Sequence, residues 1–320
     1  MEQESGGIKL YSDVEAIPVK WLWYPFIPGG KITVIQGDPG DGKSTMVMNL
    51  IAAFTTAGQT PDGKTVKKPM KVLYQCSEDG LADTIKPRLV SSGADCTKVA
   101  FLDESVKALT LDDTRIRDAI KDFGADLLVV DPIQAYFGDN ADLSNPKKAR
   151  RMLHVLGTWA EFYDCAIILI GHLNKREGGK KLYRSLGSID LMAAARSVLQ
   201  ISRLDEMPSI RRLKQIKNSL APRGNDVMFT IDQIGGFKWL CEMPSANDEQ
   251  DSSAGTGYLE KFQVPSMLKK LLSDGPVKAT DVEWYFSVQN ISMRTVNRVK
   301  KSVGVKSVRI DGRWYWKISD

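Results

Sequence analysis

Short apolar runs alternate with amphipathic stretches from the start of the chain to about residue 240. The runs KITVIQG, KVLYQC, VAFLDE, ADLLVVDP and CAIILIGH are nearly continuous in apolar residues, which is typical of strands buried on both faces. Between them, STMVMNLIAAF, DTRIRDAIKDFG and ARRMLHVLGTWAEFYD repeat apolar residues at helical spacing. The alternation predicts an α/β domain with a mostly parallel sheet that helices cover on both faces.

Three further strand-like runs, ARSVLQISRL, IRRLKQIKN and VMFTIDQI, follow one another closely. Because no helical stretch separates them, neighbouring strands have to reverse direction. We therefore expect an antiparallel extension at one edge of the sheet.

The segment PSANDEQDSSAGTG, residues 244–257, has no apolar periodicity and is rich in Ser, Asp, Gly and Ala. We interpret it as a flexible linker between a domain of residues 1–243 and a small domain of residues 258–320. In the small domain, VPSMLKKLLSDGPV and KATDVEWYFSVQN predict two short helices, and SMRTVNRVKKSVG predicts a basic helix. VKSVRIDGRWYWKI predicts a hairpin that turns at Asp311 and Gly312. This order is that of a winged helix-turn-helix domain.

The positive charge is concentrated in that small domain. The chain carries a net charge of +5, yet residues 257–320 hold 12 Lys and Arg against 6 Asp and Glu, and the remainder holds 32 against 33. A basic module favours an acidic partner, for which nucleic acid is the natural choice.

Several features indicate a cytoplasmic protein without a membrane span. No run of about 18 apolar residues occurs, and the first twenty residues lack the basic start and apolar stretch of a secretory signal. The four cysteines are widely separated and show no metal-ligand spacing, which suits a reducing compartment.

The stretch GDPGDGKST fits the phosphate-binding loop pattern G-x-x-x-x-G-K-[ST] without a mismatch. Such a loop presents backbone N–H groups to phosphates, while its lysine reaches the β- and γ-phosphates and its hydroxyl binds Mg²⁺. ATP and Mg²⁺ are therefore the expected cofactors, with Ser44 on the metal and the Lys43 side chain exposed in the loop. The alternative is a chance glycine-rich turn. The expected nucleotide-binding residues are Gly37, Asp38, Pro39, Gly40, Asp41, Gly42, Lys43, Ser44 and Thr45.

Polar side chains at strand ends supply the remaining candidates. Asp131 follows the four apolar residues of DLLVVDP. We expect this strand to lie beside the phosphate-loop strand, where the carboxylate of Asp131 holds Mg²⁺. The alternative is that Asp131 caps a helix. Glu78 follows LYQCS and is our candidate general base, with Asp79 as the fallback, although both side chains are also suited to capping the next helix. His172, in ILIGHLNK, is placed to contact the γ-phosphate and report its loss, or it is a structural histidine.

The order of these motifs resembles that of the RecA-like ATPases, and in particular the hexameric replicative helicase group typified by plasmid RepA helicases and DnaB. The matching segments cover most of residues 15–240. They are WLWYPFIPGGKITVIQGDPGDGKST, LYQCSED, LLVVDPIQAYFG, AIILIGHLNK, GSIDLMAAARSVLQISR and LKQIKNSLAP. The resemblance implies a RecA-like P-loop core, ATP hydrolysis and a homo-oligomer, expected to be a hexameric ring, on single-stranded DNA.

The same resemblance implies residues that act on a neighbouring subunit's nucleotide. The family pattern places them at Arg196 and Lys217, with Arg184 and Arg212 as second choices. A cation supplied in trans couples hydrolysis to assembly. The alternative for each residue is a solvated surface charge.

Two regions are candidates for contact with DNA. In RecA-like proteins the loops after the Asp131 and His172 strands face the ring axis, and the second loop is the more basic here, with Lys175, Arg176, Lys180, Lys181 and Arg184. In the small domain we expect Ser292 to cap the third helix, with Val296 and Val299 facing inward. Its polar stripe, suited to duplex DNA unless the domain binds a protein, comprises Arg294, Asn297, Arg298 and Lys301.

Three functions are compatible with these features. The first is a ring-forming, ATP-driven helicase that serves replication of a plasmid, phage or other mobile element. The second is a non-motor DNA-binding ATPase, such as a recombination mediator or a nucleotide-switched regulator. A small-molecule kinase also fits the phosphate loop, but it leaves the basic tail and the basic loop unexplained.

Overall fold

A computed structural model describes residues 10–138, 146–172, 189–204, 207–232, 236–243, 245, 264–273, 275–288 and 291–319. Within these residues, no helix is long and apolar enough to cross a lipid bilayer.

The larger part of the described chain is built on a nine-stranded sheet. Its strands are β3 (Ile32–Gly37), β4 (Val72–Cys76), β5 (Val99–Ala100), β6 (Leu127–Asp131), β7 (Ala166–His172), β8 (Ser197–Leu204), β9 (Met207–Asn218), β10 (Asp226–Asp232) and β11 (Gly236–Met243). They lie in the order β11-β10-β9-β8-β3-β7-β6-β4-β5. A short hairpin of β1 (Trp21–Trp23) and β2 (Ile27–Pro28) precedes the sheet.

The directions of the strands agree with the sequence pattern. All the pairings among β3 to β8 are parallel, and β8 to β11 continue as an antiparallel meander. Both the mostly parallel sheet and the antiparallel extension are therefore confirmed. The last strand, β11, was not predicted, because at the edge of the sheet it alternates exposed and half-buried residues instead of forming an apolar run.

Helices cover both faces of this sheet. They are α1 (Lys43–Thr55), α2 (Lys86–Ser91), α3 (Thr114–Phe123), α4 (Pro146–Tyr163) and α5 (Ile189–Ala194). One apolar cluster joins α3, α4 and α5 to alternate strand residues such as Val34 and Leu128. The other joins α1, α2 and the first hairpin to the intervening residues, such as Ile35 and Val129. Successive strand residues point to opposite faces, so continuous apolar strands feed both clusters.

Two expectations about individual strands are wrong. The Asp131 strand, β6, does not lie beside the phosphate-loop strand, because β7 lies between β6 and β3. Order along the chain leaves this adjacency open, since a parallel crossover can skip a position that a later strand fills. The run VAFLDE is also shorter than predicted, with only Val99–Ala100 paired to β4.

The C-terminal part contains α6 (Val264–Leu271), β12 (Val277–Lys278), α7 (Ala279–Val288), α8 (Met293–Lys300), β13 (Val305–Ile310) and β14 (Arg313–Ile318). Its three strands form a separate sheet in the order β12-β14-β13, and the buried residues of one apolar cluster all lie between residues 264 and 316. The predicted helices and hairpin are present, whereas β12 was not anticipated.

Local details of this part follow the sequence closely. The Ser292 hydroxyl accepts a hydrogen bond from the Thr295 N–H and caps α8, while Val296 and Val299 are buried. Asp311 and Gly312 both have positive φ, 48° and 77°, in the two-residue turn between β13 and β14. The capping, the inward-facing valines and the position of the turn are confirmed.

Candidate nucleotide-binding site

The phosphate-binding loop lies between the end of β3 and the start of α1. Gly40 and Gly42 have φ values of 79° and 87°, in the left-handed region that favours glycine. A Cβ on Gly42 would lie 2.3 Å from Ile231 Cδ1, and one on Gly37 would lie 2.7 Å from the Ile201 carbonyl oxygen. The loop is therefore packed against β8 and β10, with no room for a side chain at Gly37 and a backbone conformation at Gly42 that disfavours one. Its shape fits a nucleotide phosphate at the N-terminus of α1.

The Lys43 side chain is only 5% exposed, so the expectation of an exposed lysine is wrong. Its ammonium donates to the carbonyl oxygens of Gly37 and Asp38, each at 2.9 Å, and lies 3.2 Å from Nδ1 of His172. Lys43 is the first residue of α1, and its side chain folds back into the loop. In this position it is ready to exchange carbonyl oxygens for phosphate oxygens.

Carboxylates surround this lysine. Burial lowers the pKa of Lys43, and the negative charges of Asp41, Asp131, Asp38 and Glu78 act in the opposite direction. The same electrostatic field therefore includes the two carboxylates that we predicted at the ends of β4 and β6. The structure brings Lys43, Glu78, Asp131 and His172 to the carboxyl edge of the sheet.

Asp131 is buried, with 7% of its surface exposed. Its Oδ2 accepts a hydrogen bond of 2.8 Å from the hydroxyl of Tyr74, which lies on β4. Burial and the Asp131 charge raise the pKa of Tyr74 well above its usual value, so this hydroxyl remains a donor. In the described parts of the chain, no group donates to Oδ1 of Asp131, which leaves that atom for a metal-bound water.

A Mg²⁺ ion at this site would need ligands from the nucleotide as well as from the protein. No group of three or more His, Cys, Asp or Glu side chains that could bind a metal occurs among the residues with described positions. Ser44, half-buried in the first turn of α1, and Asp131 fit a Mg²⁺ ion whose other ligands are phosphate oxygens and water.

The two candidate bases have different surroundings. Asp79 pairs with Arg88 of α2 at 2.7 Å. Glu78 is exposed, and in the described part of the molecule its carboxylate makes no hydrogen bond or ion pair. The carboxylate of Glu78 is therefore accessible and able to accept a proton from water, as a general base requires, whereas Asp79 has a structural partner.

Arg196 and Lys217 lie at the sheet edge opposite their own phosphate loop. Ser197 pairs with Thr33 and Asn218 with Ser197, so both residues are near the start of β3, about 13 Å along the strand from its end. Arg196 is exposed. Neither side chain is placed to serve its own loop, as a residue that acts in trans requires.

Two candidates for action in trans, Lys217 and Arg212, have contacts within their own chain. The Lys217 ammonium donates to the carbonyl oxygens of Met192, at 2.7 Å, and Ala195, at 2.8 Å, at the end of α5. Arg212, a second choice for a trans residue, is buried and lies 3.9 Å from Asp226.

The predicted DNA contacts divide between described and undescribed regions. Lys175, Arg176, Lys180, Lys181 and Arg184 lie in residues 173–188, outside the described residues. In α8 the predicted stripe is exposed on the side away from Val296 and Val299. It comprises Arg294, Asn297, Arg298 and Lys301.

Arg203, at the end of β8, is a site residue that was not predicted from the sequence. Its Nη2 donates to the Gly40 carbonyl oxygen at 2.7 Å, and its Nε lies 3.3 Å from Oδ1 of Asp41. The available signal was a charged residue at the end of an otherwise apolar strand, in ISRL. Tyr74 was missed as well, because a tyrosine within an apolar run looks like ordinary core.

This phosphate cradle at the carboxyl edge of a mostly parallel sheet defines a P-loop ATPase fold of the RecA-like type. The AAA domain family model matches residues 11–178, more than half of the chain, and the chain belongs to that family. The solved ATPase domain of G40P has the same fold, with a TM-score of 0.50 and 15% identity over 66% of this chain and 85% of that one.

The sequence also resembles part of two curated proteins. The DNA repair protein RadA of Chlamydia muridarum is 25% identical over 152 residues, and that of Brucella abortus is 25% identical over 156 residues. Each match covers 46% of this chain and 29% of the relative. The chain therefore matches less than a third of the length of these relatives.

Proposed function

We propose that this chain is an ATP-hydrolysing, DNA-binding RecA-like ATPase that forms a ring and acts as a replicative helicase for a plasmid, phage or other mobile element in the cytoplasm. The observation that carries the proposal is the convergence of Lys43, Glu78, Asp131 and His172 at one edge of the sheet. A phosphate cradle, a metal-side carboxylate, an unpaired candidate base and a polar group on the adjacent strand are the parts that nucleotide hydrolysis requires.

In the proposed cycle, Lys43 exchanges the Gly37 and Asp38 carbonyl oxygens for those of the β- and γ-phosphates. Ser44 and Asp131 would hold Mg²⁺, which would supply positive charge to offset that of the phosphates. Glu78 takes a proton from the attacking water, and Tyr74 holds the Asp131 carboxylate in position. His172 contacts Lys43, so it is well placed to respond when the lysine moves to the phosphates.

The proposed assembly is a homo-hexameric ring with nucleotide between neighbouring chains. The location of Arg196 at the edge opposite its own loop supports action in trans, and Arg196 is the stronger candidate because the Lys217 ammonium already has acceptors in its own chain. The basic loop of residues 175–184 would contact single-stranded DNA within the ring.

We propose that residues 258–320 are a winged helix-turn-helix domain that binds duplex DNA and is joined by the 244–257 linker to the ATPase domain of residues 1–243. Two observations support this proposal. This part has a separate apolar cluster, and α8, which Ser292 caps, has an exposed polar stripe. An exposed basic helix of this kind can contact phosphates and base edges in the major groove.

A second candidate function is a non-motor DNA-binding ATPase whose nucleotide state controls its affinity for DNA. The observation that favours it is the similarity to proteins named DNA repair protein RadA. Both candidates require ATP and DNA, but only the helicase converts hydrolysis into strand separation.

The deciding experiment measures ATP hydrolysis with and without single-stranded DNA, and unwinding of a duplex with a single-stranded tail. The Lys43→Ala variant is the control for contaminating ATPases and helicases. A helicase unwinds the duplex only with ATP, whereas a non-motor ATPase is stimulated by DNA without unwinding. A rate of ATP hydrolysis that does not change when DNA is added would contradict both candidates and favour a small-molecule kinase. Electron microscopy of negatively stained particles, with an ATP analogue and with or without DNA, tests the ring.

A further inference from the structure

The phosphate-binding loop contains a carboxylate of its own. Asp41 has a side chain that is only 8% exposed, and its Oδ2 accepts a hydrogen bond of 2.9 Å from the Asp38 N–H. This bond closes the loop on itself and holds its shape. It also keeps a negative charge within the cradle that we propose for an anionic phosphate chain, where like charges repel strongly in a partly buried site.

The Arg203 side chain contacts this segment from outside the loop. The Arg203 guanidinium donates from Nη2 to the Gly40 carbonyl oxygen at 2.7 Å and places Nε 3.3 Å from Oδ1 of Asp41. One planar group thus bonds the loop backbone and faces the loop carboxylate, a use of the guanidinium fork that a lysine cannot reproduce. The Arg203 side chain remains 48% exposed, so these contacts, and not burial, define its location.

We propose that Arg203 is a positioning residue for the phosphate-binding loop: it neutralises Asp41 and ties Gly40 to β8, so that the loop accepts the phosphates of a nucleotide without repulsion. We call this pair of contacts the Arg203–Asp41 brace. The inference rests on the proposed nucleotide-binding function and assigns that site a residue that does not itself touch the phosphates.

The brace joins parts of the chain that are distant in sequence. Arg203 and Gly40 are separated by 163 positions, and β8 lies next to β3 in the sheet. The parallel register between Gln36 and Gln200 carries β8 past the end of β3, so the last residues of β8 reach the loop. The position of Arg203 is therefore set by a rigid strand, which suits a residue that has to hold a loop in one conformation.

The test compares the affinity for a fluorescent Mg²⁺–ATP analogue in four proteins: wild type, Arg203→Gln, Asp41→Asn, and the double variant. If Arg203 neutralises Asp41, Arg203→Gln weakens binding about 10-fold, because the charge of Asp41 is then compensated less completely where it faces the phosphates. The double variant should bind more tightly than Arg203→Gln alone, since the charge that needed neutralising is gone, while the amide oxygen of Asp41→Asn can still accept from the Asp38 N–H.

A merely structural contact gives a different pattern. In that case both single variants bind weakly and the double variant binds no better than the weaker of them, which overturns the brace. An unchanged affinity of Arg203→Gln also overturns it. Arg203→Lys should give an intermediate affinity, because it keeps the charge but loses the fork. It replaces Arg203→Gln if the latter fails to fold.

Three further readouts sharpen the experiment. Arg117→Gln removes another half-exposed, ion-paired arginine, which contacts Asp118 at 2.8 Å, and it should leave binding unchanged. Arg203→Gln should raise KM for ATP while kcat stays within about threefold, as expected for lost binding rather than lost chemistry. Its loss of affinity should also shrink at high salt, because the arginine is partly exposed.

The two levels of inference fail in different ways. Wild-type protein that binds the analogue, with Arg203→Gln binding equally well, overturns the brace and leaves the proposed nucleotide function standing. Wild-type protein that binds neither this analogue nor any other Mg²⁺–nucleotide overturns the proposed function and, with it, the brace.

Discussion

The Lys43 ammonium lies 3.2 Å from Nδ1 of His172, and this contact joins the phosphate-binding loop to the end of the neighbouring strand. The register of the sheet produces it, because Gly37 at the end of β3 pairs with His172 at the end of β7. Any movement of Lys43 towards a phosphate therefore changes the surroundings of His172, which begins the connection to residues 173–188.

Replacement of Lys43 tests the phosphate loop. Lys43→Ala should abolish nucleotide binding or hydrolysis, because no other side chain of the loop can supply a cation to the β- and γ-phosphates. The variant should still fold, because burying the charged amine of Lys43 already costs stability, as its lowered pKa indicates. Lys43→Met, which keeps the packing, is the matched control for folding, and both variants should unfold within a few degrees of wild type. Near-normal turnover in either variant would contradict the site.

A pair of conservative variants tests whether Glu78 or Asp79 is the general base. Glu78→Gln should bind ATP normally and hydrolyse it about 10²- to 10⁴-fold more slowly, as expected when a general base is lost. Asp79→Asn should hydrolyse ATP at nearly the wild-type rate, because Asp79 is engaged with Arg88. Single-turnover hydrolysis, with binding measured separately, distinguishes these outcomes. The reverse pattern would assign the base to Asp79.

Mixing experiments test the action of Arg196 in trans. Arg196→Ala should bind ATP but hydrolyse it on the order of 10³-fold more slowly, by analogy with other arginine fingers. Mixing it with Lys43→Ala protein should restore part of the activity, because some interfaces then combine an intact loop with an intact arginine. Lys217→Ala serves as a comparison, and its effect on stability should be larger, since its ammonium bonds the end of α5. Constant specific activity at all protein concentrations, with no rescue on mixing, would indicate a self-contained site.

Removal of residues 245–320 tests the independence of the C-terminal part. The truncated protein should retain ATPase activity and assembly, because the apolar cluster of residues 264–318 is drawn from that part alone. It should lose affinity for duplex DNA more than for single-stranded DNA, as fluorescence anisotropy with matched oligonucleotides can show. Unchanged duplex binding would indicate that this part binds a protein instead.

Asp95 provides a test of acid stability away from the site. Hydrogen bonds from Lys98 and Thr97 lower the pKa of Asp95 from 3.8 to about 2. A depressed pKa means that the stabilisation is complete above about pH 4 and is lost as the pH falls through about 2. The difference in free energy of unfolding between wild type and Asp95→Asn should therefore be constant from pH 5 to 7 and shrink towards pH 2. Lys98→Met should reduce this difference, and a difference that grows on acidification would contradict the assignment.

Much of the local structure could be derived from the sequence because it depends on neighbouring residues. The phosphate loop requires glycines and a lysine at fixed spacing, and the Ser292 cap and the Asp311–Gly312 turn require particular side chains at adjacent positions. Continuous apolar strands also determined that both faces of the sheet are covered. These features were predicted correctly, because backbone conformation and burial pattern depend on residues that are close together in the sequence.

Only the tertiary structure decided which strands are neighbours and what surrounds each charge. The insertion of β7 between β3 and β6, the burial of Lys43 and the contact between Arg203 and Gly40 all depend on segments that are distant along the chain. The last of these joins residues 163 positions apart. Strand order follows from the competition among all possible pairings, and the environment of a charge follows from strand order. Neither strand order nor the environment of a charge can be derived from short segments, because the interactions that decide them form only when the sheet assembles.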